Sequence, residues 1–136
     1  MAVQMQGSTI SDTTVKIQHP SGAEYLVVAP KDNGGDGSSF SPTDLCTVSL
    51  GACGSMIMKM FAAGKGIPVE QIRFEIIKEM AASPRRIQKM TVVYTIRGAL
   101  SDIEFRKVEA AGRTCPVRLT LGAQVEIAEE YRLERV

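Results

Sequence analysis

The chain has 136 residues, 44% hydrophobic and 23% charged, which is the size and composition of a single globular domain spanning 1–136. Sixteen basic against fifteen acidic residues leave a formal net charge of +1, which excludes a whole-molecule field for nucleic acid, an anionic membrane or acidic substrates. Three cysteines, an odd number, follow an N-terminal stretch with neither a basic region nor an apolar core, so the sequence predicts a cytoplasmic protein with buried or reactive thiols and no disulfide framework.

Taken in order, residues 13–19 and 23–29 are two short β-prone runs, and Pro20-Ser21-Gly22 between them predicts a hairpin. The stretch after Pro30 is rich in Gly, Asp, Asn and Ser and reads as a loop, either a flexible connector or a place of close backbone approach.

Residues 41–66 read as one long helix. Ser41 suits the N-cap, Pro42 the first helical position, and Asp44 puts a carboxylate beside the unpaired amides of the first turn. Gly64 or Gly66 ends it. Apolar residues fall on every face (Leu45, Val48, Leu50, Ala52, Met56, Ile57, Met60 and Phe61), so almost no face is left for water. Thr47, Ser49, Gly51, Gly54 and Ser55 keep the helix thin and also argue against a membrane span, which needs ~20 predominantly apolar residues. Cys46 and Cys53 lie two turns apart on this helix, ~10 Å at ~1.5 Å per residue, and cannot bond to each other.

Residues 69–80 alternate with Ile72, Phe74 and Ile76 on one face, and residues 87–98 answer with Met90, Val92, Tyr94 and Ile96, giving a second, longer hairpin. Ser101 or Asp102 then caps a helix with Ile103, Val108 and Ala111 on its apolar stripe. Cys115-Pro116 opens a short helical turn, and residues 125–136 supply a final strand. This order predicts an α+β protein, antiparallel hairpins packed on helices. A helix apolar all round needs more cover than one such chain supplies, which favours a homodimer.

Among the thiols, Cys115 has the most suggestive surroundings. It lies next to Pro116 at a helix start and is bracketed by Arg113 and Arg118, which suits a thiolate; a small residue filling a corner fits the same position. Cys53 is mid-helix and by itself reads as a core cysteine, as does Cys46. Cys46, Cys53, Cys115 and His19 show no metal-ligand spacing, so neither metal nor cofactor is expected.

Pro42 near the start of a buried helix, the run Leu50-Gly51-Ala52-Cys53 and the later Cys115-Pro116-Val117 resemble the OsmC/Ohr family of thiol-dependent peroxidases, from about Gly34 through the last strand. The resemblance implies an intertwined homodimer in which two long helices pack at the centre, with strands of both chains forming two sheets around them. It also implies that Cys53 is the peroxidatic residue that attacks a hydroperoxide and Cys115 the resolving one, their disulfide being reduced by an external thiol or dithiol. Organic-hydroperoxide enzymes of the family have a Glu directly after the helix-opening Pro and an Arg in the N-terminal strands. This chain has Thr43 at the first place and no arginine before Arg73, and so resembles a divergent branch. The cations left to support a thiolate are Lys16, Lys31, Arg113 and Arg118. A non-catalytic small-molecule-binding or redox-sensing protein of the same family is the alternative reading.

Overall fold

The computed structural model of the protein describes residues 1–136. In chain order it contains β1 (Gln6–Thr9), β2 (Thr14–Gln18), β3 (Glu24–Val28), α1 (Pro42–Lys65), β4 (Val69–Ala81), β5 (Arg86–Gly98), α2 (Asp102–Gly112), α3 (Pro116–Leu121) and β6 (Glu126–Arg135). Its contacts gather into two units, residues 1–46 and 47–136.

In the first unit β1, β2 and β3 form an antiparallel sheet. Val15 faces Val27 and Ile17 faces Tyr25, so the alternation puts these four side chains on one face. Gly22, at φ 96°, closes the β2–β3 turn. β1 was not expected: Gln6–Thr9 holds no apolar residue, and the strand joins by pairing with β2 along its whole length. In the loop after β3, close approach is what is found. Gly35 donates its N–H to the Pro30 carbonyl at 2.9 Å, and a Cβ there would lie 1.6 Å from the Ala29 oxygen, so no other residue fits.

α1 begins with a reciprocal cap. The Ser41 hydroxyl accepts from the Asp44 N–H at 3.1 Å, and the Asp44 carboxylate accepts from the Ser41 N–H at 3.0 Å. At its other end Gly66 turns left-handed at φ 67°, and the Ile67 N–H reaches back to the Ala62 carbonyl at 2.9 Å.

In the second unit β4 and β5 pair antiparallel over their length, with Ile72 opposite Ile96, Phe74 opposite Tyr94 and Ile76 opposite Val92. β6, whose pairing the sequence left open, runs parallel to β5. A parallel neighbour needs a long crossover, and residues 99–125, carrying α2 and α3, supply one. Met90, Val92, Tyr94 and Ile96 of β5 close a buried core with Leu50, Met58 and Ala62 of α1 and Val108 of α2. Each such side chain contributes roughly 1.5–3 kcal/mol by leaving water.

A single chain does not cover α1 on every side. Ala52, Met56 and Met60 form an exposed stripe at helical spacing, the two methionines 61% and 64% accessible. By length and composition α1 is apolar enough to cross a membrane, a test that the core helix of a soluble protein also passes.

Candidate thiol site

Cys53 is positioned by the smallness of its neighbours. Gly51 and Gly54 flank it in α1, and a Cβ on either would fall 2.3 Å from the Phe74 ring or 2.1 Å from the Tyr94 hydroxyl. Because both are glycine, the two rings press against the helix, and the Tyr94 hydroxyl donates to the Leu50 carbonyl at 3.2 Å. The half-buried Cys53 thus sits where the helix is thinnest.

Cys115 is fully buried and forms the N-cap of α3, its Sγ accepting the Arg118 N–H at 3.3 Å. The Cys53 thiol is near enough to act on it. Burial pushes the Cys115 thiol up; the Arg118 N–H opposes that, and the contact with Cys53 adds to it. The structure therefore brings Cys53 and Cys115 together. Cys46 is exposed and belongs to the first unit. His19 is bonded to Ser21 in the β2–β3 turn, and no cluster of three or more His, Cys, Asp or Glu side chains suited to a metal is gathered anywhere in the chain. Of the upstream residues singled out in the sequence, Lys16 lies in β2 opposite Leu26, Lys31 in the loop after β3, and Thr43 beside Ser41, with hydroxyls 3.2 Å apart.

A charged group completes this site. Glu129 stands on β6 opposite Val92, with Ile127 and Tyr131 on the same face, so the strand's alternation drives its carboxylate inward. Its side chain is 4% accessible. Arg118 Nε and the Tyr131 hydroxyl both donate to it, and an Arg113 nitrogen lies 3.9 Å away. Arg113 also covers the Tyr131 ring at 4.9 Å from the centroid, and Tyr131 stacks on Tyr94 at 5.1 Å. The bond to Glu129 raises the Arg118 guanidinium further, which keeps it charged. Burial, with the negative charge of Cys115 next in weight, pushes the Tyr94 hydroxyl far above its ordinary range; burial and the bond to Glu129 do the same to Tyr131. Both tyrosines are neutral donors at any physiological pH.

Sequence reasoning missed Glu129. Its signal is the phase of the last strand: with Ile127, Tyr131 and Leu133 on one side, Glu129 is the acid that shares their face, while Glu126 and Glu130 fall on the other.

A profile of OsmC-like proteins matches residues 35–130. Among solved structures, a protein of Psychrobacter arcticus 273-4 named for an osmotic stress induced and detoxification response is 29% identical, with a TM-score of 0.85 over 98% of this chain and 96% of its own. An organic hydroperoxide resistance protein from Legionella pneumophila superposes at a TM-score of 0.73 with 16% identity, covering 97% of each chain. The organic hydroperoxide resistance protein OhrB of Bacillus subtilis superposes at 0.67 with 16% identity, over 97% of this chain and 98% of its own. No protein of curated function matches the chain. With its two three-stranded sheets, its long α1 and a family profile across most of its length, the chain belongs to the OsmC/Ohr family of OsmC-like proteins.

Proposed function

We propose that the protein is a thiol-dependent peroxidase that reduces organic hydroperoxides, or hydrogen peroxide, in the cytoplasm as a defence against oxidative stress. The observation that carries this reading is the contact between the Cys53 and Cys115 thiols, in a family whose members include proteins named for organic hydroperoxide resistance. In the proposed cycle the Cys53 thiolate attacks the distal oxygen of the hydroperoxide. The O–O bond breaks, the alkoxide leaves and takes up a proton as alcohol, and Cys53 is oxidised to a sulfenic acid. The Cys115 thiolate then attacks that sulfur, hydroxide leaves and is protonated to water, and a disulfide forms. An external dithiol reduces the disulfide by two exchanges and is itself oxidised. The apolar surroundings of the pair, Leu50, Phe74 and Val117 among them, suit a greasy peroxide.

The working unit is proposed to be a homodimer. The exposed stripe of Ala52, Met56 and Met60 on α1 and the thin cover of the first sheet both call for a second copy. Sedimentation at micromolar concentration should give the mass of two chains, and a folded monomer there would overturn this part.

Adding one equivalent of cumene hydroperoxide should consume two thiols per chain, leave a Cys53 to Cys115 disulfide on peptide mapping, and turn over repeatedly with added dithiothreitol. A disulfide without turnover would favour redox sensing instead, the reading that Thr43 and the absence of arginine before Arg73 keep in view. Loss of the disulfide in Cys46→Ser, with its persistence in Cys115→Ser, would overturn the assignment of the pair.

A further inference from the structure

The helix that starts at Cys115 is weakly anchored by its own sequence. α3 has six residues, none of them fully buried, and Leu119 is exposed, so neither its length nor its apolar packing fixes where it lies. What ties it down is a line of contacts that can be followed one at a time. The Arg118 backbone N–H donates to the Cys115 sulfur at 3.3 Å, and the Arg118 Nε donates to Glu129 on β6. Glu129 is almost fully buried, and its other oxygen accepts from the Tyr131 hydroxyl. Tyr131 stacks on Tyr94 of β5, their centroids 5.1 Å apart and their planes 22° from parallel. The Tyr94 hydroxyl reaches α1, where it donates to the Leu50 carbonyl at 3.2 Å and lies so near Gly54 that a Cβ there would fall 2.1 Å from it. The line therefore begins at the Cys115 sulfur and ends on the turn of α1 that carries Cys53, which packs against the same buried cluster as Cys115. Arg113 is shared between Glu109 at 3.2 Å and Glu129 at 3.9 Å and covers the Tyr131 ring, so it roofs the line and is not a link in it.

Resting on the reading that Cys53 and Cys115 are the reacting pair, we infer that Glu129 is a positioning residue: by gripping Arg118 it holds α3, and with it the Cys115 thiol, where a disulfide with Cys53 can close. Glu129 touches no reacting atom. A buried carboxylate has to be fully bonded, and here that requirement fixes the Arg118 side chain and so the one helix that carries the resolving sulfur. The role is mechanical and does not depend on the net charge at the thiols. With α3 held, a sulfur oxidised on α1 meets a thiol already in place; with α3 loose, the chain must be ordered at the moment the bond forms.

The test uses glutathione and no peroxide, so its failure can be told from failure of the peroxidase reading, which the turnover assay decides separately. Protein carrying Cys46→Ser is equilibrated in graded mixtures of reduced and oxidised glutathione. Cys53 and Cys115 give up two electrons and two protons as their disulfide forms, and one oxidised glutathione takes them up and becomes two thiols. Acid quenching and counting of free thiols then give the effective concentration of one cysteine at the other. Glu129→Gln keeps the shape but puts an amide donor where a carboxylate accepted on both sides, and it should lower that concentration about tenfold; Arg118→Met should lower it by about the same factor. Since Glu129 acts through Arg118, the two substitutions together should lower it no further than either alone. Val108→Ala, in the core of α2 and not among these contacts, should cost stability yet leave the effective concentration within about twofold. A merely structural role for Glu129 would make it behave as Val108 does. An unchanged value in Glu129→Gln overturns the inference, as does an equal fall in Val108→Ala, a further fall of about tenfold in the double variant, or the absence of the disulfide when Glu129 and Arg118 are both intact. Should one of the two single variants fail to fold, the other set against Val108→Ala decides: a fall confined to it supports the inference, and no fall overturns it.

Discussion

The two sheets have equal numbers of strands and very different interiors. β4, β5 and β6 carry Met90, Val92, Tyr94 and Ile96 fully buried beneath α1 and α2, whereas in β1, β2 and β3 the only buried strand residues are Val27 and Val28. Tyr25 on the apolar face of the first sheet is 69% accessible. Three strands need an apolar face packed on something to be stable. The second sheet has that support within its own unit, and the first has little of it. The difference teaches that the candidate site lies where the fold is self-sufficient: Cys53, Cys115, Arg118 and Glu129 all belong to residues 47–136.

This contrast can be broken by mutation, starting with the largest effect. Ile96→Ala, in the centre of β5 and fully buried, should cost about 2–5 kcal/mol in urea unfolding. Gly54→Ala should cost about 1–3 kcal/mol, because the new Cβ meets the Tyr94 hydroxyl at 2.1 Å and either the ring or the helix must move. It should also slow Cys53 oxidation by more than a core mutation of equal cost, which stopped-flow mixing would show. Tyr94→Phe removes one hydrogen bond, to the Leu50 carbonyl, and should cost about 1 kcal/mol. Ile17→Ala, on the half-buried first sheet, should cost less than about 1 kcal/mol if the chain stands alone. A cost matching that of Ile96→Ala, growing as the protein is diluted, would show that a second copy covers the first sheet in solution.

The smallest effect is in pH. The Cys115 thiol is raised by burial, so the unfolded chain loses this proton at lower pH than the folded one. Stability is therefore unaffected below the ordinary thiol range of about 8.5 and falls as pH rises beyond it. Denaturation midpoints measured from pH 7 to pH 10 should show this decline, and Cys115→Ala should flatten it.

Much of the second unit was legible because its sequence is periodic. Ile72, Phe74 and Ile76 alternate against polar neighbours, Met90 to Ile96 answer them, and Ser41, Pro42 and Asp44 announce α1 by side chains whose hydrogen bonds are local. What was hidden depends on distant partners. β1 has no apolar pattern, and its existence follows from the free edge of β2. The direction of β6 depends on where the crossover through α2 and α3 lands. Glu129 looked like one acid among several in a charged C-terminal stretch, and only the phase set by Ile127 and Tyr131 turns it inward. The two cysteine motifs were visible, but the cations around them were not placed, because a linear sequence does not show that Arg113 and Arg118 converge on one carboxylate.

The parallel pairing of β6 has a consequence for how the molecule is made. The β4–β5 hairpin closes between neighbours in the chain, whereas β6 must wait until residues 99–125 have crossed over, and contacts of such separation form late. On a ribosome both cysteines emerge before Glu129 does. A nascent chain therefore holds both thiols before it holds Glu129, the carboxylate to which Arg118 and Tyr131 are bonded.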